Sequence, residues 1–475
     1  MDCATLSTDV LVLGGGGAGL RAALEARRGG ADVLLLSKQP AGGTSCTAHG
    51  AGYTTYCAPE ARDELRRQML AVGGWVNDPA MLEAFLADVP GRIPELAEFG
   101  VELTREELLP GLGYWRTSAG QGRRPGYGLT TPLRQALDAS GARVVDGATV
   151  TKLLLADGAV VGAVAYEPAP DRLLGIAAKA TVVATGGGAA LWARSDNPRS
   201  TTGDGFALAF EAGAPLAHME FVSFNCPDLA ALRAGTAERD DVLAHGSAHY
   251  FLGGVLTDAE GRTPVEGLLA AGEVARGPHG AARLGGSAFA EVIVFGARAG
   301  AAAARLARDA ACPAPPRDAL DAEAARLTRH AANHGPPPAA LRARLADLMW
   351  QHAGLVKDRA SLERAAALLD DLMRDLGSAA AAAPGDVALA EQTRLSAVTA
   401  REVVRAALWR EESRGAFWRG DCPGYDNARW LRCRTACQLA GRYETCVEAI
   451  AAADGVEPGE PRVGAGCFAY LREGG

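Results

Sequence analysis

Three glycines near the start of the chain have the spacing of a phosphate-binding turn. They are Gly14, Gly16 and Gly19, which follow an apolar run and precede the helix-forming segment LRAALEARR. In such a strand–turn–helix unit the first glycine permits a tight turn, the second lets the backbone approach a pyrophosphate, and the third lets helix and strand pack closely. The same glycines could form a purely structural turn, but this context favours a dinucleotide at the helix N-terminus.

The residues that follow the next apolar run bear on which dinucleotide is bound. The run ends in Ser37 and Lys38, where many nicotinamide-binding folds place an acid, and the Lys38 cation could meet the 2′-phosphate of NADP. FAD is a longer cofactor that needs more protein around it, and the glycine turns at Thr185–Gly188 and Gly272–Glu273 would supply it. We therefore expect FAD, with the Ser37 hydroxyl bonding a ribose.

The elements that must hold these turns alternate in the pattern of an α/β domain. Across residues 9–217, β-rich apolar runs alternate with glycine turns and helical segments, which predicts a parallel sheet. Buried strands at Ala180–Ala184 and Gly267–Ala271 also run into glycine turns, which suggests one sheet visited repeatedly. The pattern of Arg143–Ala165 indicates antiparallel strands instead, with a turn near Asp157–Gly158.

A long helix and a proline-rich break separate this region from the C-terminal part. Ser287–Ala310 has an apolar face and a serine near its start that suits capping, and its positive N-terminal end would stabilise the negative charge of a reduced flavin. Breaks at Pro313–Pro316 and Gly335–Pro338 indicate a domain boundary. Beyond them helical spacing dominates, with an alanine-rich connector at Ser378–Pro384 and a further helix at Val398–Trp409.

Composition and charge limit the class of protein. The 475 residues suffice for two or three domains, and a net charge of −8 argues against a nucleic-acid surface. The sequence shows neither a signal peptide nor about 18 unbroken apolar residues, so we expect a cytoplasmic protein without direct membrane insertion. Cysteines at positions 422, 433, 437 and 446 fit no metal-ligand spacing, so we expect no metal; Cys433 and Cys437 would share a helix face.

Eight segments spread along the chain carry specific motifs. They are SKQPAGGTSCTAHGAG from Ser37, ATGGG from Ala184, NPRSTTGDGFALAFEAGA from Asn197, MEFVSF from Met219, HYFLGGV from His249, GLLAAGEV from Gly267, HGAARLGGSAF from His279 and ESRGAFWRGDCP from Glu412. Taken in order, these motifs resemble those of the fumarate reductase, succinate dehydrogenase and L-aspartate oxidase flavoprotein family over nearly the whole length of the chain. The resemblance implies an α/β fold with an FAD-binding Rossmann-like parallel sheet, an antiparallel excursion, a vestigial cap and a helical C-terminal domain.

The resemblance also implies which residues hold FAD and how. Thr44 stands where family members that attach FAD covalently carry a histidine, so the flavin would be held non-covalently. Asp204 has an alternative role as a turn acid within TGDG. The implied cofactor-binding residues are Gly14, Gly15, Gly16, Gly17, Ala18, Gly19, Ser37, Lys38, Gly43, Thr44, Ser45, Gly50, Ala51, Gly52, Thr185, Gly186, Asp204, Glu273, Arg283, Ser287 and Ala288.

Two residues match the substrate site of the family. Arg283 would clamp a carboxylate with the two parallel hydrogen bonds of its planar guanidinium, and His249 would orient or polarise the substrate. Asn225, the third candidate catalytic residue, stands where the family has a substrate-contacting histidine. Ala282 and Phe417 likewise replace an asparagine and a histidine of the family pattern. Arg283 has an alternative role as one side of an ion pair at a domain boundary, and His249 as a histidine whose hydrogen bonds are satisfied in the core.

A further departure concerns the cover of the site. Between Asn225 and His249 the family inserts a domain-sized cap that closes over the substrate and supplies an arginine thought to carry a proton, and only a short segment remains here. Arg233 or Arg239 could replace the lost arginine, but solvated charges on a short helix are the simpler interpretation. Three explanations stay open: a partner subunit or a second copy of the chain covers the flavin, the substrate is itself large and tethered to a carrier, or the site has decayed.

These observations predict an organisation and a function. The FAD-binding domain comprises residues 1–217 and 249–312, the remnant of the capping domain residues 218–248, and the helical C-terminal domain residues 318–475. The expected function is an FAD-dependent oxidoreductase that transfers a hydride between flavin and a C–C or C–N bond beside a carboxylate of a small acid or amino acid, free or carrier-tethered. The alternatives are an L-aspartate oxidase-like amino-acid oxidase and a non-catalytic or electron-relaying flavoprotein subunit.

Overall fold

The computed structural model describes residues 2–120, 122–226, 244–314, 317–431, 433–439 and 443–449. Short 3-10 turns lie at Pro59–Ala61, Pro94–Phe99, Ala189–Leu191 and Gly272–Val274. The helices are α1 (Gly17–Arg28), α2 (Cys46–His49), α3 (Arg62–Val72), α4 (Pro79–Arg92), α5 (Tyr127–Ala139), α6 (Asp204–Glu211), α7 (Ser287–Asp309), α8 (Arg317–Ala332), α9 (Pro338–Ala353), α10 (Arg359–Gly377), α11 (Pro384–Trp409) and α12 (Asn427–Trp430). The strands are β1 (Asp2–Leu13), β2 (Val33–Ser37), β3 (Tyr53–Cys57), β4 (Leu103–Leu109), β5 (Leu112–Thr117), β6 (Arg143–Asp146), β7 (Thr149–Ala156), β8 (Ala159–Glu167), β9 (Arg172–Val183), β10 (Leu216–Ala217), β11 (Val222–Asn225), β12 (Ser247–Phe251), β13 (Gly254–Val255), β14 (Leu268–Ala270), β15 (Cys433–Leu439) and β16 (Tyr443–Ala449).

Seven of the described strands form the main sheet, in the order β6–β2–β1–β9–β8–β7, with β14 also paired to β9. Strand β1 lies in the middle and pairs with β9 along its whole length, from Asp2 opposite Arg172 to Leu13 opposite Val183. Strands β6, β2, β1, β9 and β14 run parallel, whereas β8 and β7 run antiparallel. The prediction that one sheet collects the separate strand-to-glycine junctions is confirmed.

The antiparallel excursion begins later than predicted. Strands β7 and β8 are antiparallel and turn at Asp157 and Gly158, which both have positive φ angles. Arg143–Asp146, which we expected to belong to this excursion, instead pairs in parallel with β2 at the far edge of the main sheet. The short strand has no strong alternation to show its partner, because a parallel edge strand can be apolar or polar on either face.

Helices cover both faces of the main sheet. Helices α1, α5 and α7 pack on one face, around buried residues such as Leu20, Leu133 and Ile293. On the other face, α6 and the C-terminal helices α9, α10 and α11 share one apolar cluster with the sheet. Helix α7 is long and apolar enough to cross a membrane by length and composition, but 78% of its most apolar window is buried inside the protein, as in a core helix.

The C-terminal region is helical as predicted up to Trp430, with two differences. Helix α11 begins at Pro384, well before the predicted Val398, and strands β15 and β16 follow the helices within the segment that we expected to be wholly helical. Strand β15 pairs with β10, so the C-terminal segment joins a strand of the N-terminal part. The expectation that Cys433 and Cys437 share a helix face is therefore wrong: they lie on β15, opposite Ala449 and Thr445.

Candidate functional site

A cleft opens at the carboxyl ends of the parallel strands, where ligands bind in open α/β sheets. It encloses about 980 Å³, including open solvent at its mouth. Its walls come from the turns after β1, β2, β9 and β14, which meet there because these strands run parallel. The predicted cofactor-binding residues that line the cleft are Gly14, Gly15, Gly16, Gly17, Ala18, Ser37, Lys38, Thr44, Ser45, Thr185, Gly186, Asp204 and Glu273.

The glycines after β1 differ in what each does for the turn. Gly14 has a φ of +116°, and a Cβ there would lie 2.3 Å from the Ala184 carbonyl oxygen. A Cβ on Gly19 would lie 1.9 Å from the carbonyl oxygen of Gly14, so Gly19 allows α1 to pack on β1. A Cβ on Gly16 would meet nothing nearer than Ser45, at 3.6 Å, on the cleft wall. Gly14 and Gly19 thus shape the turn, whereas Gly16 leaves room in the cleft.

The N-terminus of α1 fits an anionic ligand. No side chain caps its first residue and no acid lies in its first turn; of its first N–H groups, that of Gly17 donates to Thr47 Oγ1 at 3.3 Å. Open amides at a helix N-terminus attract phosphate. The Thr185 hydroxyl beside the cleft is buried and has no hydrogen-bond partner among the described residues, as expected of a group that a cofactor would satisfy. The residues present therefore fit FAD.

Lys38 and Asp204 face each other in the cleft. Lys38 Nζ donates to Asp204 Oδ2 at 2.6 Å and to the Thr202 hydroxyl. Asp204 begins α6, where the helix dipole favours a carboxylate. Because Asp204 already compensates its charge, Lys38 is poorly placed to bind an additional 2′-phosphate, which weakens the NADP alternative.

Glu273 is a buried carboxyl on the wall of the cleft. Its Oε1 accepts a hydrogen bond from the Phe251 N–H at 3.0 Å. Burial raises the pKa of Glu273 to about 8, aided by the charge of Glu291 and opposed by the Phe251 N–H and Arg283. Glu273 therefore exchanges a proton near neutral pH, and it connects the cleft to β12, the strand that carries His249.

The remaining predicted cofactor residues do not line the cleft. Ser287 does not cap α7 as expected: Gly286 precedes the helix, and the Ser287 hydroxyl donates to the Leu284 carbonyl at 2.6 Å. Val292, one turn further along α7, does reach the cleft. The predicted cofactor-binding residues that do not line the cleft are Gly19, Gly43, Gly50, Ala51, Gly52, Arg283, Ser287 and Ala288.

The three candidate catalytic residues converge on one group beside β12. His249 Nδ1 lies 2.9 and 3.1 Å from the two carboxylate oxygens of Asp196, and Asn225 Nδ2 donates to the same carboxylate at 2.5 Å. Arg283 Nη2 lies 3.4 Å from His249 Nε2. Asp196, which the sequence analysis did not single out, thus connects His249 and Asn225.

Arg283 rests on a buried polar layer. Its guanidinium carbon lies 4.6 Å above the ring of Tyr250, and its Nε is buried without a hydrogen-bond partner among the described residues. The Tyr250 hydroxyl donates to Glu291 of α7, and His279 Nε2 lies 3.0 Å from the same carboxylate. Burial and the Glu291 charge raise the pKa of Tyr250 well above its usual value, so the phenol stays protonated beneath Arg283.

The motif ESRGAF holds the loop that carries Arg283. Glu412 accepts hydrogen bonds from Arg410 and Arg414, all three fully buried, and Arg414 also donates to the Gly74 carbonyl at 2.8 Å. The Ala416 N–H donates to the Ala281 carbonyl at 2.8 Å, two residues before Arg283. This C-terminal motif therefore supports the loop that carries Arg283. Phe417 is fully buried, with Lys357 Nζ 5.1 Å from its ring centre.

The sequence analysis did not predict some of the residues that line the cleft. Thr201 and Thr202 lie in the quoted motif NPRSTTGDG, so their position near Asp204 was a usable signal. Cys46 lines the cleft with its thiol 3.3 Å from the Thr201 hydroxyl, and burial raises the pKa of that thiol. The other lining residues are Leu13, Leu36, Gln39, Thr47, Ala148, Val150, Ala184, Ser200, Gly203, Leu208, Ala271 and Val292.

Arg233 and Arg239 lie outside the described residues. Where side chains are described, no three His, Cys, Asp or Glu residues come together as a metal site. The side chains of Cys433, Cys437 and Cys446 lie outside the described part of the structure.

Known proteins match almost the whole chain. A family model described as "FAD binding domain" matches residues 9–247 and 239–289, and one described as "Fumarate reductase flavoprotein C-term" matches residues 342–454. The fumarate reductase (CoM/CoB) of Methanothermobacter marburgensis has a subunit that is 28% identical, over 89% of this chain and 96% of its own length. That alignment spans 525 residues, so the relative has segments that this 475-residue chain lacks.

Two further known proteins are similar to the chain. The L-aspartate oxidase of Halobacterium salinarum is 31% identical over 87% of this chain and 97% of its own. A mutant of the E. coli quinol fumarate reductase FrdA superposes with a TM-score of 0.85 at 22% identity, over 97% of this chain and 99% of that one. The structural likeness extends through both the sheet and the C-terminal helices.

Proposed function

The chain belongs to the FAD-dependent oxidoreductase family of fumarate reductase, succinate dehydrogenase and L-aspartate oxidase flavoproteins, and from that premise we propose that it adds hydrogen to, or removes it from, a C–C or C–N bond beside a carboxylate. The observation that supports this function is the contact between Arg283 and His249, whose Nη2 and Nε2 atoms lie 3.4 Å apart. This contact lies beside the cofactor cleft, because Phe251, two residues after His249 on β12, is hydrogen-bonded to Glu273 of the cleft wall.

Each candidate residue has a role in this proposal. Arg283 binds the substrate carboxylate through its planar fork, and its support on Tyr250 keeps the fork in place. His249, whose Nε2 lies 3.4 Å from Arg283 Nη2, orients the substrate beside the bound carboxylate. Asn225 acts on the Asp196 carboxylate rather than on the substrate, because its amide is already hydrogen-bonded there.

The proposed cofactor site is the cleft described above. The turn after β1 and the N-terminus of α1 would hold the phosphates, Ser37 and Lys38 the adenosine half, and Glu273 the part of the cofactor nearest β12. FAD, when bound, supplies the acceptor or donor of the hydride. Thr44 offers no imidazole for attachment, so the cofactor is held non-covalently. Acid precipitation of the holoprotein should leave a colourless pellet and free FAD in solution.

Two other functions keep some support. The L-aspartate oxidase relative is more than 30% identical over most of its length, which favours oxidation of a C–N bond in an amino acid.

The short segment between Asn225 and Ser247 favours a flavoprotein that works only in a complex, since about 20 residues are too few for a closing domain. The Methanothermobacter relative is itself one subunit of its enzyme. We propose that a partner subunit or a second copy of the chain covers the site.

The visible spectrum of the purified protein tests the function. Succinate and L-aspartate are added anaerobically to the oxidised protein. Fumarate is added anaerobically to protein that has been reduced with dithionite. Bleaching by succinate or L-aspartate, or re-oxidation by fumarate, supports the proposal and identifies the bond type. A flavin-loaded protein whose band responds to none of these acids contradicts it.

A further inference from the structure

We infer that Asp196 and His249 form a proton-transfer pair, in which His249 Nε2 exchanges a proton with the substrate and Asp196 positions the imidazole. This inference deepens the proposed function and rests on it. Two titratable side chains of β12, His249 and Tyr250, contact Arg283. The Tyr250 phenol donates to Glu291 and stays protonated, so His249 is the one of the two that is placed to exchange a proton with a substrate bound by Arg283.

The contacts of the imidazole determine its tautomer. Nδ1 faces two carboxylate oxygens of Asp196, which can only accept, so Nδ1 carries a hydrogen and donates it. Nε2 faces Nη2 of Arg283, which can only donate, so Nε2 carries no hydrogen and accepts through its lone pair, at the limit of hydrogen-bond distance. Two independent neighbours thus require the same neutral tautomer, in which the nitrogen nearest Arg283 is ready to take up a proton.

The backbone holds this pair in place. Ser195 and Ala248 form an isolated parallel β-bridge, with the Ala248 N–H donating to the Arg194 carbonyl at 2.9 Å. Asp196 and His249, each one residue further along its segment, are therefore held at the same level. Asn197 adds a hydrogen bond from its amide to the His249 carbonyl. The arrangement matches the orienting acid of a general-base histidine, whose loss costs the base its correct tautomer.

The chemical step balances as follows. In the direction of oxidation, the substrate carbon next to the carboxylate, or its neighbour, loses a hydride to FAD. The adjacent carbon or nitrogen loses a proton to His249 Nε2, and the electron pair of that second bond forms the new C=C or C=N bond. The carboxylate of Asp196 stabilises the imidazolium, which passes its proton to solvent since 28% of the His249 side chain is exposed. Reduction is the same step reversed.

Nitrogen NMR of the flavin-loaded protein tests the pair without turnover. The protein is labelled with ¹⁵N at its eight histidines, and His249→Gln identifies the signal of His249. At pH 8 the wild type should show His249 protonated at Nδ1, and Asp196→Asn should shift it toward the Nε2 tautomer. Asp370→Asn makes the same charge change at an exposed position of α10 and should leave the signal unmoved. A wild-type His249 protonated at Nε2 overturns the inference.

Kinetics then separates proton transfer from substrate orientation. With fumarate and reduced benzyl viologen, His249→Gln should lower kcat by about 10²- to 10⁴-fold with little change in KM, as for loss of a general acid–base group. Asp196→Asn should lower kcat at least tenfold, and Asp196→Glu should restore part of it. Added imidazole should rescue His249→Ala.

The possible outcomes distinguish this inference from the proposed function. If the wild type turns over fumarate but His249→Gln keeps its kcat within threefold, or changes only KM, the inference is wrong and the proposed function stands. If the wild type turns over none of the three acids although it holds FAD, the proposed function fails, and the role of proton carrier fails with it. The tautomer measured by NMR then still reports whether Asp196 positions His249.

Discussion

Arg283 combines a fixed orientation with an unused hydrogen-bonding capacity. Its guanidinium lies on the Tyr250 ring, and Nη2 is only at the limit of hydrogen-bond distance from His249. A lysine would keep the charge but lose the two parallel bonds that a guanidinium makes to a carboxylate. This difference explains why a conservative change should be costly here.

Arg283→Lys should therefore raise the apparent substrate constant by about 10- to 100-fold, the loss expected for one charge-assisted hydrogen bond. The measurement is a steady-state titration with the acid found active in the spectral test. Arg298→Lys is the matched control, because Arg298 lies on α7 and pairs with Asp88 away from the site. An unchanged substrate constant in Arg283→Lys would refute the role of carboxylate clamp.

Glu273 makes the stability of the flavin-free protein depend on pH. Its pKa in the folded protein is about 8, against 4.5 for an ordinary glutamate, so between these values the folded state retains a proton that the unfolded state has released. The contribution of Glu273 to the free energy of unfolding is therefore greatest below about pH 4.5, falls as the pH rises to about 8, and is constant at higher pH.

Glu273→Gln should remove this part of the pH dependence and raise the free energy of unfolding at pH 9 by the order of a few kcal/mol relative to the wild type. Guanidinium unfolding of the flavin-free proteins from pH 5 to 9 measures the difference. Equal slopes for the two proteins across this range would mean that Glu273 ionises normally.

At this scale the sequence was informative about some residues and not others. Gly16, Lys38 and Glu273, which line the cleft, were singled out because each follows a recognisable strand in a motif. Asp196 was missed because its partner His249 is more than 50 positions away, and an isolated aspartate in a loop carries no periodicity or spacing. Contacts made by distant loops depend on tertiary packing that a single sequence does not encode locally.

In the glycine turn between β1 and α1, one glycine is needed for folding and another for cofactor binding. Gly19 is required by the packing of α1 on β1, since a Cβ there would overlap the carbonyl oxygen of Gly14. Gly16 has extended backbone angles (φ −81°, ψ −174°) that alanine also adopts, and its missing Cβ leaves open only the cleft.

Gly16→Ala should fold like the wild type and lose most of its FAD, whereas Gly19→Ala should lower the stability of the flavin-free protein by about 1–3 kcal/mol or more through overpacking. Thermal unfolding monitored by circular dichroism and the ratio of flavin to protein absorbance measure the two effects. Full flavin occupancy in Gly16→Ala would contradict the proposed position of the phosphates.

Elements with strong local signals were predicted well, and those defined by distant partners were not. The strands that run into glycine turns and the amphipathic C-terminal helices carry their periodicity in the sequence. The parallel pairing of Arg143–Asp146 and the strands at Cys433–Leu439 and Tyr443–Ala449 depend on edges supplied by remote segments. The helical spacing of two cysteines gave no warning of a strand, because residues four apart share a face in both structures.

The N-terminal sheet and the C-terminal helices behave as one unit in their packing. They share an apolar cluster, and Glu391 of α11 accepts hydrogen bonds from Arg326 and His330 of α8. Arg394 joins α11 to Glu211 of α6 at 2.6 Å. Burial alone would raise the pKa of Glu391, but these cations hold it well below its usual range.

Glu391→Gln should lower the stability of the whole molecule by about 1–3 kcal/mol, because it removes a buried carboxylate that accepts charge-assisted hydrogen bonds, although Arg326 keeps Glu323 and Arg394 keeps Glu211 as partners. Tryptophan fluorescence and circular dichroism should show the same lowered midpoint, as one cooperative transition. Glu363→Gln, an exposed position on α10, is the control and should have little effect. A loss confined to part of the signal would show that the two halves unfold separately.

The pairing of β1 with β9 has a consequence for biosynthesis. Strand β1 leaves the ribosome first, but its neighbour along its whole length is more than 150 residues later in the chain, and the loop that carries Arg283 acquires its support only with Glu412 and Arg414. At typical translation rates, roughly 10 to 30 s pass before β9 is made, during which β1 has an unpaired edge. The cleft wall at Thr202 and Gly203 also waits for the C-terminal part of the chain, because Ser396 and Thr399 of α11 donate hydrogen bonds to those two carbonyls. The cofactor cleft and the support of the Arg283 loop are therefore both completed only after the C-terminal helices have been made.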